Sequence, residues 1–183
     1  MTTTHDGLDE GQAFWTPTED VRRHVDCRVM VAGVGNPWLR DLDFGPQFIR
    51  RTRELEWPAG VLLEDAAVSA HRVLHLLQEL TPERVIFVAG YSRGDPPGTI
   101  RRTLADTSEP TGTEVEGMLG EAAGGVVDFD HTLVVTRHFK ALPPDTVLIE
   151  VEALDTAFGT GFSPEVEACM EPVIEMVRKE IER

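Results

Sequence analysis

Five consecutive apolar residues, Val85-Ile-Phe-Val-Ala89, constrain the fold more than any other feature of this chain. A strand wetted on one face alternates apolar and polar side chains, whereas one apolar at every position is covered on both faces, as in the middle of a parallel sheet. The preceding sequence has the pattern that such a sheet requires. Arg28-Val-Met-Val-Ala-Gly33 predicts a buried strand closing into a tight turn at Gly33-Val-Gly-Asn36. Gly45-Pro46 opens a helix with Phe48, Ile49, Thr52 and Leu55 on one face, and Val61-Leu-Leu63 is a second strand. Ala70, Val73, Leu74, Leu77 and Leu80 form the stripe of a second helix behind a Ser69 cap. Strand, helix, strand, helix, strand is a βαβ pattern, and it predicts an α/β fold.

Beyond Ala89 the spacing predicts an edge strand at Ile100 to Thr103. A capping box at Thr113 and Glu116 then opens a short helix lined by Val115, Met118, Leu119 and Ala122. A further short helix begins at Asp130 and buries Val135, Phe139 and Leu142, and Val147 to Val151 is another strand. The closing helix is the longest, with Ser163 as cap and Pro164 in its first turn. Its buried stripe is Val166, Cys169, Met170, Val173, Ile174, Val177 and Ile181.

Against a typical domain of roughly 150 residues, this length gives one domain at 27–183 and a polar N-terminal tail at 1–26 that docks through Phe14 and Trp15. With 41% hydrophobic and 27% charged residues, the chain is neither disordered nor a disulfide scaffold. Its longest charge-free stretch, Val29 to Leu39, falls well short of the roughly 20 apolar residues that a spanning helix needs. A net charge of -15 repels phosphate backbones and anionic lipid, which argues against nucleic acid and membrane as partners. Thr103 to Asp130 carries seven acids and no Lys or Arg, and reads as a solvated acidic face. Cys27 and Cys169 are far apart among apolar neighbours and read as buried thiols. Met1 to Asp26 lacks the basic start and apolar stretch of a signal peptide, so the expected compartment is the cytoplasm.

Open α/β sheets bind ligands beyond the carboxyl ends of their strands, which directs attention to three loops. They are Gly33 to Gly45, holding Asp41 and Asp43; Glu64-Asp65-Ala66-Ala67; and Gly90 to Asp95. The first is not a dinucleotide fingerprint, because Trp38 stands where the third glycine belongs. Ser92 lacks a Gly-x-Ser-x-Gly elbow, and neither Cys lies in such a loop near a His, so serine or cysteine protease chemistry finds little support. His71 and His75 sit four apart on one helix without an accompanying acid motif, and read as a solvated or half-buried face. Turn-making and helix N-terminal charge are alternative roles for Asp41 and Asp43.

Five segments in order carry a resemblance: Val31-Ala-Gly-Val-Gly-Asn36 followed by Asp41-Leu-Asp-Phe-Gly45, Leu63-Glu-Asp65, Pro96-Pro-Gly-Thr99 and Gly161-Phe-Ser-Pro-Glu-Val166. Together they make the chain, from about Cys27 to Glu182, similar to the [NiFe]-hydrogenase maturation proteases. These endopeptidases trim the C-terminus of the hydrogenase large subunit once nickel is installed. The resemblance implies a three-layer α/β/α fold around a twisted, mainly parallel sheet of the phosphorylase/hydrolase-like kind. It further implies catalytic roles for Asp41 and Asp65, substrate contacts at Asn36 and Asp95, and metal ligation by His131. Gly33 to Pro37 is also similar to the start of peptidyl-tRNA hydrolases, but their following Arg-His-Asn is missing.

Leu42 stands where the family has an acidic metal ligand, and Ala89-Gly90 replaces the Asp-Ala that supplies a second one. Leu and Ala are not donors for a divalent cation. Asp43, displaced by one residue, is the candidate to rebuild the site beside His131, with Asp95 or Glu64 contributing from neighbouring loops. No tightly bound cofactor is expected; nickel enters as cargo of the substrate, a large-subunit precursor. Two functions follow: a maturation endopeptidase, or a catalytically inactive homologue that keeps the fold and acts as an assembly or holding factor for the same kind of client.

Overall fold

A computed structural model describes residues 26–67, 70–123 and 129–183. The aromatics Phe14 and Trp15 of the tail, and the Ser69 cap, lie outside the described residues. So do the side chains of Met118, Leu119 and Ala122.

Five strands form one sheet: β1 (Val29–Val34), β2 (Val61–Ala67), β3 (Arg84–Tyr91), β4 (Ile100–Leu104) and β5 (Asp145–Glu152). Their order is β2-β1-β3-β5-β4. All neighbours are parallel except β4, which closes one edge antiparallel to β5. Val85 to Ala89 is wholly buried in β3, between β1 and β5, as the unbroken apolar run requires.

Side-chain alternation along the strands builds two cores. Val29, Val31, Ile86, Val88, Val147 and Ile149 face α1 (Phe44–Thr52) and the C-terminal helical segment. Met30, Ala32, Val85, Phe87, Ala89 and Leu148 face the other side, where α2 (Ala70–Leu80) and α4 (Phe129–His138) lie. The result is the expected three-layer α/β/α sandwich.

Several local expectations differ from the structure. β2 runs on through Glu64 and Asp65, and β3 runs to Tyr91, so these residues sit on strand ends rather than in loops. The helix α3 (Gly112–Ala123) is capped two residues earlier than the spacing suggested. Thr111 receives hydrogen bonds from the Glu114 N–H and donates to its carboxylate. Leu55 is exposed because α1 stops at Thr52, whose carbonyl accepts from the Leu55 N–H and the Trp57 indole. In α4 the buried face is set by Phe129, which packs edge-on against Phe87; Phe139 is consequently exposed and Val135 only half-buried.

The closing helix is two pieces, α5 (Pro164–Glu167) and α6 (Met170–Ile181). Pro172 has no N–H to give the carbonyl one turn back, which breaks the ladder there. The buried stripe from Val166 to Ile181 nevertheless continues across the break. Ser163 does not cap α5 with its side chain; its hydroxyl is used elsewhere.

Candidate functional site

The turn between β1 and α1 lies flat across the carboxyl edge of the sheet. Glycine makes this approach possible: a Cβ on Gly90 would come within 2.1 Å of the Asp41 carbonyl oxygen, and one on Gly45 within 2.2 Å of that of Val88. A 3-10 turn, Arg40–Asp43, carries the two acids into this position. Arg40 has φ +42 and Ala67, at the end of β2, has φ +21. Left-handed backbone at non-glycine residues costs on the order of 1–3 kcal/mol each and gathers where surrounding structure enforces it.

Asp41 is fully buried, and its carboxylate accepts four hydrogen bonds. Three come from the backbone N–H groups of Leu154 (3.0 Å), Asp155 (2.8 Å) and Ser163 (2.7 Å), and one from the Ser163 hydroxyl (2.8 Å). Burial pushes its pKa up, but these donors outweigh it and hold the carboxyl below its ordinary value. The same turn zips onto 154–163 through a Leu39 to Gly159 bridge, an Arg40 to Asp155 ion pair and a stack of Trp38 on Phe158. Asp41 is therefore occupied in fastening two loops together.

Asp43, also buried, is placed differently. Its Oδ2 accepts from the Gln47 amide at 2.7 Å and lies 3.6 Å from Arg50, while Oδ1 is buried with no hydrogen-bond partner. Burial is the leading influence and raises its pKa, against the bond from Gln47 and the charge of Arg50. The Arg50 Nε donates to Asp65 Oδ2 at 3.1 Å, so one guanidinium spans both acids. Asp65 Oδ1 also accepts from the Ala67 N–H, and the Gly35 N–H donates to the Ala67 carbonyl. β1, β2 and α1 thus meet at a single charged cluster.

The other expected site residues are dispersed. Asn36 closes the β1 turn by accepting from the Trp38 N–H. Asp95, in the loop before β4, is paired with Arg101. His131 is buried in the first turn of α4. Among the described residues no three His, Cys, Asp or Glu side chains converge to hold a metal ion. The donors do not fit the cation that the resemblance implies: Ala89 is sealed in the core with Phe87 and Phe129, and Leu42 offers no lone pair. Both cysteines are buried thiols whose pKa burial raises, and Ser92 is exposed, so no activated nucleophile is on view among the described residues. A surface cleft of about 360 Å³ walled by Trp57, Arg178 and Ile181 lies away from this edge, beside Arg28 at the amino end of β1.

Two participants escaped sequence reasoning. Arg50 and Arg93 each gather carboxylates from separate elements. The only signal for Arg93 was its place just past a buried strand.

No family model matches the sequence, and no curated protein matches it. Solved structures do match. A hydrogenase 2 maturation peptidase from a Thaumarchaeota archaeon is 24% identical, covers 82% of this chain and 95% of its own, and superposes with a TM-score of 0.59. The hydrogenase maturating endopeptidase HybD of E. coli is 19% identical over 82% of this chain and 89% of its own, with a TM-score of 0.61. The [NiFe] hydrogenase maturation protease HycI from Thermococcus kodakarensis is 18% identical over 92% of this chain and all of its own, with a TM-score of 0.57. At these identities the likeness is one of architecture: this chain has the fold of the hydrogenase maturation proteases.

Proposed function

We propose that this protein processes the C-terminus of a [NiFe]-hydrogenase large-subunit precursor as a maturation endopeptidase of divergent construction. The carrying observation is the Asp43, Arg50, Asp65 cluster at the carboxyl edge, whose two acids come from segments that carry the resemblance. Asp41 is fully buried whereas the Asp65 side chain is partly exposed, so Asp65 is the acid that polarises the attacking water. Its carboxylate takes the water's proton as hydroxide adds to the scissile carbonyl, and returns it to the amine nitrogen as the C–N bond breaks. Asp43 lies buried beside Asp65, and Arg50 holds the two acids in register. Nickel belongs to the client, and no step passes through a metal held by this chain. The proposed compartment is the cytoplasm. No described helix is long and apolar enough to cross a membrane.

A second reading, the inactive holding factor, is favoured by Leu42 and Ala89 at two ligand places. One experiment separates the two. Purified protein is mixed with nickel-loaded precursor from the same organism, and the precursor's mass is followed. Active protein shortens the precursor at its C-terminus, and Asp65→Asn slows the cut at least about a hundredfold without lowering Tm. A wild type that binds the precursor and leaves it intact is the holding factor. Undiminished cleavage by Asp65→Asn would remove that residue from the mechanism.

A further inference from the structure

At the carboxyl ends of β3 and β5, three carboxylates from two elements of the fold surround the turn containing Arg93. Its Nη1 and Nη2 donate to Asp130 in the first turn of α4 at 3.0 and 2.9 Å. Its Nε and Nη2 donate to Glu150 on β5 at 3.1 and 2.7 Å. The guanidinium lies over the ring of Tyr91, the last residue of β3, at 3.8 Å from the centroid. The Tyr91 hydroxyl also donates to Asp130, at 2.7 Å. Glu152 accepts from the backbone N–H groups of Arg93 and Gly94.

Glu150 and Glu152 are buried, so water screens their mutual repulsion poorly. Carboxylates this close need a cation or several N–H donors among them. Here both are supplied by the chain. Burial works against the charge on Arg93, but Asp130 and Glu150 outweigh it and secure the guanidinium in its charged form. Arg93 in turn is among the groups that hold the Asp130 carboxyl below its ordinary pKa against burial.

We infer that Arg93 is a built-in counter-ion that joins the ends of β3 and β5 to the first turn of α4, so that this edge of the site closes without a divalent metal ion. The resemblance would give that joining to a cation held from the positions of Ala89 and His131, and Ala89 has no donor to offer. A planar guanidinium suits the task because its fork addresses two carboxylates at once, which a lysine ammonium does less well. Arg93 is thus a positioning residue for α4, and through it for His131. The inference stands whether the protein cuts its client or holds it.

Amide hydrogen exchange on the full-length protein tests it, read separately for 129–138 and for β5, in excess EDTA, nickel or zinc. Wild-type exchange in α4 should be the same in all three. Asp130→Asn should speed exchange in 129–138 by about tenfold, equivalent to roughly 1.4 kcal/mol of local stability, and leave β5 unchanged. Arg93→Gln should speed both segments, and Arg93→Lys should recover part of the loss. If Arg93→Gln does not fold, Asp130→Asn still reports on the tether. Slower α4 exchange with nickel or zinc, or faster exchange in EDTA, would show a metal doing this work. Unchanged exchange in both Asp130→Asn and Arg93→Gln would equally overturn the inference.

Discussion

Asp41 and Asp43 are two residues apart on one 3-10 turn and both are buried, yet the regions they face make them opposites. Asp41 looks towards 154–163 and finds four donors; Asp43 looks towards β2 and keeps an oxygen that no protein group satisfies. The carboxyl of the first is held below its ordinary pKa and that of the second is raised. Environments that push two like groups apart divide labour between them. Asp41 has both oxygens engaged by donors from 154–163, and Asp43 keeps one buried oxygen without a donor.

Removing the Asp41 carboxylate should cause the largest change. Asp41→Ala strands the N–H groups of Leu154, Asp155 and Ser163, and chemical denaturation should show a loss of about 3–5 kcal/mol. Gly90→Ala should rank second, at about 1–3 kcal/mol, because its Cβ can be housed only by lifting the Asp41 backbone off the sheet. A loss below that range would mean that the turn yields easily and that Asp41 fastens less than its hydrogen bonds suggest.

The smallest effect, and the sharpest contrast, should come from pH. A carboxyl with a lowered folded pKa gives stability that is complete above the ordinary carboxylate range and is lost as pH falls through the lowered value. One with a raised folded pKa gives stability that is complete below its ordinary value and is lost as pH rises through the raised one. Asp41→Asn should therefore flatten the acid limb of the stability profile. Asp43→Asn should flatten the opposite trend and change neutral stability by less than about 1 kcal/mol. Profiles of the same sign for both variants would erase the distinction.

Much of the fold was legible because burial period and secondary structure agree. Val85 to Ala89 announced a central strand, and the stripe from Val166 to Ile181 followed helical spacing even across the break at Pro172. Misreadings occurred at ends, where one contact decides. Leu55 and Phe139 fit an extrapolated helical face, but α1 and α4 stop before reaching them. The acids were legible as residues near the carboxyl ends of β1 and β2. Their division of labour was not, since Ser163 reads as an ordinary helix cap until the fold brings it to Asp41, 122 positions away. Arg93 was hidden for the same reason, its carboxylate partners lying 37 and 57 positions along the chain.

The fastening at Asp41 also sets an order of assembly. Its partners stand 113, 114 and 122 positions later, so a chain emerging from the ribosome can pair β1, β2 and β3 long before the turn above them has anything to grip. Closing so long a loop is an entropic cost met only when the sheet has already brought its ends close. The carboxyl edge is then among the last parts to set. A growing or truncated chain that ends before Ser163 presents the strands without the finished edge, which keeps any activity housed there silent until that segment has been made.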